Sequence, residues 1–313
     1  MTPSRPTPPS RSPLRRAAIA GRKDAVRLTH AERVIDPHSG ITKGRLFECY
    51  AALAPLMLPH LRRRPVALLR APDGIAGQMF FQKHADPVRF PGLRQLPDLD
   101  PGHQPLLQID DARALLGAVQ MNAVEFHTWN GISTAFARPD RMVFDLDPGE
   151  GVQWPQIVEA AHRLRDFLAE LGLPPFLKTS GGKGLHIVVP LRRENDWDEV
   201  KDFSHAVVQH LAQEQPDRFA AKSGPRNRVG KIFIDYLRNG FGATTVAAWS
   251  VRARPGLPIS VPLAWEELDA LAGSGQWHVG NIETRADTGN APWDNYDLSK
   301  ASLGRATRAL QKG

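Results

Sequence analysis

The chain has 313 residues, of which 42% are hydrophobic and 23% charged, as is typical of a folded globular protein. Its single cysteine, Cys49, excludes an internal disulfide and argues against a cysteine-based zinc site, although eleven histidines leave a His/Asp site open. No apolar run approaches the roughly 18 residues of a membrane span, so we expect no membrane partner and a cytoplasmic location.

The formal net charge of +7 is unevenly distributed along the sequence. Six basic residues precede the first acid, Asp24, so the rest of the chain carries only about +1. Nucleic-acid binding by the body of the protein must therefore depend on local patches and not on bulk charge. The six residues are Arg5, Arg11, Arg15, Arg16, Arg22 and Lys23.

Composition divides the chain into three parts. Residues 1–24 are rich in Pro, Ser, Thr and Arg and are predicted to be a disordered basic tail, which either holds DNA loosely or is a leader without a role. Residues 25–300 are predicted to form one domain. Residues 301–313 are predicted to be a C-terminal helix or tail.

Hydrophobic periodicity predicts helices interleaved with strands, an α/β or α+β pattern. In chain order we predict a helix over 42–61 with Thr42 as N-cap and Cys49 on its apolar face, a hairpin over 65–70 and 78–82, a loop over 91–105, a helix from the cap Asp110 to about 120, and strands over 123–129 and 141–147. Helices over 154–171 and 197–213, strands near 231–237 and 244–251, and short helices around 263–272 and 297–311 follow. Trp129, Trp154 and Trp249 are assigned to the core.

The strand 141–147 ends in two acids. Asp145 and Asp147 are two residues apart, so on a strand both carboxylates leave the same face about 6.5–7 Å apart. Carboxylates on an apolar strand need compensation, and a pair of divalent cations would supply it. The alternative is a strand that runs into solvent with two surface acids.

Two later stretches carry further polar groups. Residues 178–190 (Lys-Thr-Ser-Gly-Gly-Lys-Gly-Leu-His-Ile-Val-Val-Pro) place a glycine-rich turn before an apolar strand, a pattern that suits either a phosphate cradle or an ordinary hairpin. The spacing is not that of a Walker loop. Asp235 is the one acid of the apolar stretch 231–237. It is either a metal ligand or an ordinary acid at the end of a strand.

Residues 144–148 (Phe-Asp-Leu-Asp-Pro), 178–186 (Lys-Thr-Ser-Gly-Gly-Lys-Gly-Leu-His) and 233–239 (Phe-Ile-Asp-Tyr-Leu-Arg-Asn) resemble the three motifs of the archaeo-eukaryotic primase superfamily. The likeness is greatest to the polymerase domain of bacterial DNA ligase D and covers roughly residues 26–300. It extends to three shorter stretches, 80–84, 125–127 and 250–252. The resemblance implies two small mixed β-sheets around a central catalytic cleft, one half of the fold being like an RNA-recognition motif.

The resemblance implies nucleotidyl transfer, in which a primer 3′-hydroxyl attacks the α-phosphate of an NTP or dNTP with two Mn²⁺ or Mg²⁺ ions bound. It assigns Asp145 and Asp147 as ligands of both cations and Asp235 as a ligand of one. It implies that the triphosphate is held by Ser180, Lys183 and His186. It further implies that Arg252 binds a phosphate and that His127 contacts the incoming nucleotide or the metals.

The resemblance also assigns DNA contacts. Residues 33–43 resemble the family's pocket for the 5′-phosphate across a gap or break, with Lys43 and Arg33 as the candidates; the alternative for Lys43 is a solvated lysine at a helix start. Phe80 and Phe81 could stack on a base or an end base pair. Lys83 and Arg70 flank them and could reach backbone phosphates.

We expect from this resemblance an end-processing polymerase of non-homologous end joining that prefers ribonucleotides and is partly template-independent. Its expected partners are DNA ends or gapped duplex with a 5′-phosphate, Ku and a ligase module, and its expected location is the bacterial nucleoid. The alternatives are a metal-dependent nuclease, a non-catalytic DNA-end or Ku-binding module, and a replicative primase. No Lys-x-Asp-Gly ligase motif is present, so we expect that this chain does not join ends by itself.

Overall fold

A computed structural model describes residues 26–85 and 90–311. The predicted basic tail 1–24 lies outside the described residues. The strands are β1 Val34–Asp36, β2 Ile41–Thr42, β3 Pro65–Arg70, β4 Phe80–Gln82, β5 Arg94–Leu96, β6 Leu106–Gln108, β7 Ala123–Thr128, β8 Arg141–Pro148, β9 Phe176–Thr179, β10 Leu185–Pro190, β11 Phe219–Ala220, β12 Ile232–Asp235, β13 Thr245–Val246 and β14 Pro262–Leu263. The α-helices are α1 Lys43–Leu61, α2 Ala112–Gln120, α3 Trp154–Glu170, α4 Trp197–Glu214, α5 Glu283–Ala286 and α6 Leu303–Leu310.

Two six-stranded sheets form the body of the described part. Sheet I has the order β11-β12-β8-β10-β9-β14, and all its neighbours are antiparallel except the parallel pair β11 and β12. Sheet II has the order β13-β7-β3-β6-β5, with β4 also paired to β3. The strands β4 and β6 follow one another along the same edge of β3, because β4 pairs with Leu68–Arg70 and β6 with Pro65 and Val66. The result is a mixed α/β fold, as expected.

The helices bury apolar faces that the sequence spacing predicts. In α1 the side chains of Leu46, Tyr50, Leu53 and Met57 are almost completely buried, and the Thr42 hydroxyl accepts a hydrogen bond from the Arg45 amide as the N-cap. In α4 a capping box joins residues 196 and 199. Helices α3 and α4 pack against sheet I, and α2 packs against α1 and β7.

Tyr50 of α1 is hydrogen-bonded to two other segments, β7 and the chain after β13. Its hydroxyl donates to the Val124 carbonyl at 2.7 Å and accepts from the Val251 amide at 2.9 Å. One large core then runs through both sheets, and it includes Cys49, Phe126 and Phe144. The assignment of Cys49, Trp129 and Trp249 to the core is confirmed, while Trp154 is only partly buried at its edge.

Several element boundaries differ from the predictions. The N-cap of α2 is Asp111 and not Asp110, because the Asp111 carboxylate accepts from the Ala114 amide. The loop 91–105 contains strand β5, and the strand expected over 244–251 shortens to Thr245–Val246. The helix expected at 263–272 is a 3₁₀-helix over Trp265–Ala270. No helix in residues 26–85 and 90–311 is long and apolar enough to cross a membrane.

Candidate active site

The acids of the two strands meet across the middle of sheet I. Strands β8 and β12 pair antiparallel, and Asp145 lies directly opposite Asp235. Asp147 follows two residues later and therefore leaves β8 on the same face. The side chains of Asp145 and Asp235 are largely buried, whereas that of Asp147 is 42% exposed. The convergence of Asp145 and Asp235, the condition on which the metal hypothesis depends, is present.

Two arginines, Arg238 and Arg228, form ion pairs with these acids. The Arg238 Nε is 3.0 Å from Asp235 Oδ2 and 3.8 Å from Asp145 Oδ2, so one guanidinium spans both strands. Arg228 pairs with the Asp147 carboxylate. Among the described residues, the three acids do not bring one oxygen each to within 4.8 Å of one another. Binding of one cation by all three acids therefore requires their oxygens to move closer together.

The charge balance of the acids favours a cation. Burial raises the pKa of Asp235 above its ordinary value, and the charges of Asp145 and Asp147 act in the same direction against Arg238. Burial also opposes ionisation of Asp145, but its contact with His186, and after it the charge of Arg238, lower its pKa to about 2. Clustered carboxylate oxygens of this kind are the ligands that Mg²⁺ and Mn²⁺ prefer.

His186 lies on β10 beside Asp145. Its Nε2 is 3.3 Å from Asp145 Oδ1, and burial, followed by the charge of Lys178, lowers its pKa to about 4. The ring is therefore neutral at neutral pH, and its Nδ1 is buried without a hydrogen-bond partner in the described part of the chain. The structure thus places the His186 ring against the Asp145 carboxylate.

The glycine-rich turn joins β9 to β10 and is held by its own hydrogen bonds. The Ser180 hydroxyl donates to the Gly184 carbonyl at 2.9 Å and accepts from the Gly182 amide at 3.1 Å. Gly184 cannot carry a side chain, because a Cβ would lie 1.7 Å from the Leu146 carbonyl oxygen of β8. Lys183 is exposed at the tip. The turn is a hairpin pressed against the acid strand, with its lysine facing solvent.

Glu125 is a functional candidate that the sequence predictions omitted. Its buried carboxylate accepts hydrogen bonds from Arg252 Nε at 3.0 Å, His127 Nε2 at 2.7 Å and the Ala253 amide at 2.7 Å. These contacts outweigh the effect of burial and lower the pKa of Glu125 to about 2. Arg252 in turn donates to the Ser180 carbonyl at 2.7 Å, so β7 of sheet II is tied to the turn of sheet I.

The hydrogen bond to Glu125 also fixes the tautomer of His127. A charged carboxylate only accepts, so Nε2 carries the proton. Burial lowers the pKa of His127, which leaves the ring neutral and its Nδ1 an acceptor. Residues 125–127 were recognised as a motif. The signal for Glu125 was its spacing of two residues from His127, because this spacing puts both side chains on one face of a strand.

Asn239 holds the acid strand in place. Its Oδ1 accepts from the Val143 amide at 2.7 Å and its Nδ2 donates to the Val143 carbonyl at 2.8 Å, so the side chain pairs with β8 as a strand would. Asn130 donates to the same Oδ1 at 3.1 Å. Both Arg238 and Asn239 lay in the third motif, and the three-residue spacing from Asp235 to Arg238 was the available signal.

The two candidates for a 5′-phosphate contact lie together at the start of α1. Lys43 is 2% exposed, and its Nζ donates to the Gln120 carbonyl at 2.7 Å. Burial, and next the charge of Arg33, lowers the pKa of Lys43 to about 8. Arg33 donates to the Pro72 carbonyl at 2.6 Å and to Asn122. The alternative of a solvated lysine is therefore wrong: Lys43 is a buried cation beside a second cation.

The aromatic pair on β4 is exposed on both faces of its strand. Phe80 is 40% and Phe81 44% exposed. The guanidinium of Arg70 lies 4.8 Å from the centre of the Phe80 ring, and Phe81 meets the His127 ring edge-on at 5.1 Å. Lys83 donates to the Gly242 carbonyl at 2.8 Å. Arg70 is 8% exposed and so supports the ring of Phe80 from within the fold.

Comparison with known proteins agrees with this architecture. A family model described as the LigD primase-polymerase domain matches residues 42–293. The multifunctional non-homologous end joining protein LigD of Pseudomonas aeruginosa is 55% identical over 296 residues, which are 94% of this chain and 35% of that protein. The corresponding protein of Mycobacterium tuberculosis is 36% identical over 253 residues, 78% of this chain and 33% of that protein. The solved polymerase domain of M. tuberculosis ligase D in complex with DNA superimposes with a TM-score of 0.79 at 30% identity, covering 89% of this chain and all of that one.

The fold is that of a primase-type polymerase domain. The chain belongs to the LigD primase-polymerase domain family, whose relatives are named for non-homologous end joining DNA repair. It spans about a third of the length of the curated relatives that it matches.

Proposed function

We propose that this chain adds ribo- or deoxyribonucleotides from NTP or dNTP to a primer 3′-hydroxyl at gaps and double-strand breaks, with and in part without a template. The observation that carries the proposal is the cross-strand pair Asp145 and Asp235, with Asp147 beside it. A nucleophile and a leaving group need charge neutralisation and alignment more than covalent help, and such a pair supports both.

The acids suit two divalent cations, Mn²⁺ or Mg²⁺, because their oxygens crowd negative charge onto one face of sheet I. Bound there, such ions would neutralise the triphosphate and the primer hydroxyl. Asp145 and Asp147 would hold both ions and Asp235 one of them.

The protein's own groups would bind the nucleotide from the opposite side. Glu125 holds the Arg252 guanidinium in position beside the glycine-rich turn. Lys183 is exposed at the tip of that turn and would reach the triphosphate with its ammonium group. Ser180 would contribute mainly by holding the turn's shape, since its hydroxyl bonds within it. The neutral His127 offers its Nδ1 lone pair to the nucleotide or a cation, and His186 keeps Asp145 oriented.

DNA would lie along the β4 side of this site. The exposed rings of Phe80 and Phe81 would stack on a base or an end base pair, and the buried Lys43 and the partly buried Arg33 would receive a downstream 5′-phosphate. Lys83 would contact a backbone phosphate, and Arg70 would support Phe80. In the cell the partners would be Ku and a ligase module, with the nucleoid as the location.

The test is primer extension on a gapped duplex with Mn²⁺, with and without a 5′-phosphate on the downstream strand, comparing NTP with dNTP. We expect nucleotide addition, stimulated by the 5′-phosphate, with NTP preferred. DNA binding without any extension would contradict the proposal and favour a non-catalytic end-binding module. Shortening of the primer would favour a nuclease.

A further inference from the structure

A second group of metal-ligating side chains lies away from the acids, on sheet II. His84 Nε2 is 2.7 Å from Asp100 Oδ2, and His103 Nδ1 is 3.4 Å from Asp100 Oδ1. One ligand atom from each of the three residues lies within 4.8 Å of the others, and no other described group of three His, Cys, Asp or Glu residues is as compact. The two imidazole rings stack at 5.0 Å with an angle of 12° between them.

Backbone hydrogen bonds hold these residues between the end of β4 and the start of β6. His84 forms an antiparallel bridge with Leu106, and the Ala85 amide donates to the Pro105 carbonyl at 2.7 Å. Asp100 and His103 come from one turn, closed by a hydrogen bond of 3.1 Å from the His103 amide to the Asp100 carbonyl. Two chain segments therefore present their ligands to one point before any ion binds, which reduces the ordering cost of binding.

The ligand chemistry fits a borderline-soft divalent cation. Two imidazoles and one carboxylate leave the fourth position of a tetrahedral ion open to water, an arrangement typical of zinc. Bonds of about 2.0–2.1 Å place tetrahedral ligand atoms about 3.4 Å apart. The separation between His103 Nδ1 and Asp100 Oδ1 already has this value. His84 Nε2 is hydrogen-bonded to the other oxygen, Asp100 Oδ2, at 2.7 Å, so the ion would replace this hydrogen bond.

The group is accessible from solvent, which gives an ion an entry path. The side chains of His84 and Asp100 are 25% and 19% exposed, and that of His103 is 60% exposed. The catalytic acids offer only oxygen from carboxylates and suit hard cations, so the two sites differ in ligand type as well as in place.

We propose that His84, Asp100 and His103 form a zinc-class site that fastens the segment carrying Asp100 and His103 to the end of β4. The ion links His84 to the turn that carries Asp100 and His103, with water as its fourth ligand, and thereby stiffens the strand that carries Phe80 and Phe81. The site stands independently of the proposed polymerase activity.

Zinc binding to the metal-free full chain, measured by competition with a chromophoric chelator, tests the proposal. To separate this site from the acids, the reference protein carries Asp147→Asn and Asp235→Asn. We expect one tightly bound equivalent of Zn²⁺ in the reference protein, with affinity reduced at least about 100-fold when His84→Gln or His103→Gln is added. His38→Gln, which removes an exposed histidine elsewhere, is the matched control and should change nothing.

Hydrogen exchange of the same proteins provides the structural readout. Zinc should slow exchange of amides in residues 90–106 of the reference protein and not of the His103→Gln variant. Because His103 is exposed, we expect circular dichroism to show that this variant keeps the fold. Equal zinc affinity with and without the two histidines, absence of a tight equivalent, or zinc-insensitive exchange in this segment would overturn the proposal.

Discussion

At the residue scale the site consists of charges that are already paired before substrate arrives. Asp145 and Asp235 share Arg238, Asp147 has Arg228, and Glu125 has Arg252. Because such pairs are partly desolvated, removing one member leaves a charge that water compensates poorly. The arrangement explains why Glu125, which contacts no proposed substrate, matters as a positioning residue.

Glu125→Gln should weaken nucleotide use more than it weakens the fold. The amide keeps the size of the side chain but loses the charge that orients Arg252 and His127, a loss of about 1.5–3 kcal/mol in a charge-assisted hydrogen bond, or about 10- to 150-fold in kcat/KM, mostly through KM. Steady-state extension at varied NTP concentration measures it. Glu267→Gln removes a carboxylate from another buried arginine, Arg285, and serves as the control. An unchanged KM for Glu125→Gln would contradict the positioning role.

Lys43 makes the 5′-phosphate effect dependent on pH. Its pKa of about 8 lies below the ordinary value of 10.5, so the ammonium is charged below about pH 8 and loses its charge above it. A bound phosphate favours the charged form and moves this transition upward. The ratio of extension rates with and without the 5′-phosphate should therefore fall between pH 7.5 and 9.5, and in Lys43→Ala, where Arg33 remains, it should be smaller and independent of pH. A ratio that stays constant in the wild type would exclude Lys43 as the phosphate ligand.

At the element scale the sequence predicted the acid strand well. Val143, Phe144 and Leu146 predict a buried strand over residues 141–147, and β8 occupies Arg141–Pro148. Its partners could not be read in the same way, because pairing depends on residues distant in sequence. Asn239 is an example: nothing in its local pattern shows that its amide completes the hydrogen bonds of Val143.

Asn239→Ala should therefore destabilise the fold and the site together. The Val143 amide and carbonyl would lose their partner inside the core, at a cost of about 2–4 kcal/mol in the free energy of unfolding. Urea denaturation measures this, with Asn227→Ala, whose exposed amide donates to Ser223, as the control expected within about 0.5 kcal/mol of wild type. A loss for Asn239→Ala no larger than that control would show that the side chain does not hold β8.

Strand β4 was predicted as part of a hairpin, and the exposure of its two phenylalanines follows from its place at an edge. If Phe81 stacks on a base, Phe81→Ala should weaken DNA binding about 5- to 150-fold at constant salt dependence. Lys83→Ala should instead reduce the slope of log affinity against log salt by about one. Fluorescence anisotropy over a salt series distinguishes loss of stacking from loss of a phosphate contact. A DNA affinity of Phe81→Ala equal to that of the wild type would contradict stacking by Phe81.

At the scale of the whole molecule two sheets enclose the site. Sheet I supplies the acids and the glycine-rich turn, and β7 of sheet II supplies Glu125 and His127. The motifs and their order were sufficient to predict the family, and Asp145 and Asp235, which the structure pairs across two strands, both lie in them. The motifs were not sufficient for the arginine and asparagine partners, because these contacts arise only when strands far apart in sequence are paired.

The most direct test of the central claim is nucleotide addition by Asp235→Asn. Asparagine retains an oxygen to accept from the Leu237 amide and so preserves the local fold, but it removes the charge opposite Asp145. We predict that primer extension falls at least about 100-fold while DNA affinity, measured by anisotropy on the same gapped duplex, stays within about twofold of wild type. Extension at the wild-type rate would contradict the assignment of these acids to catalysis.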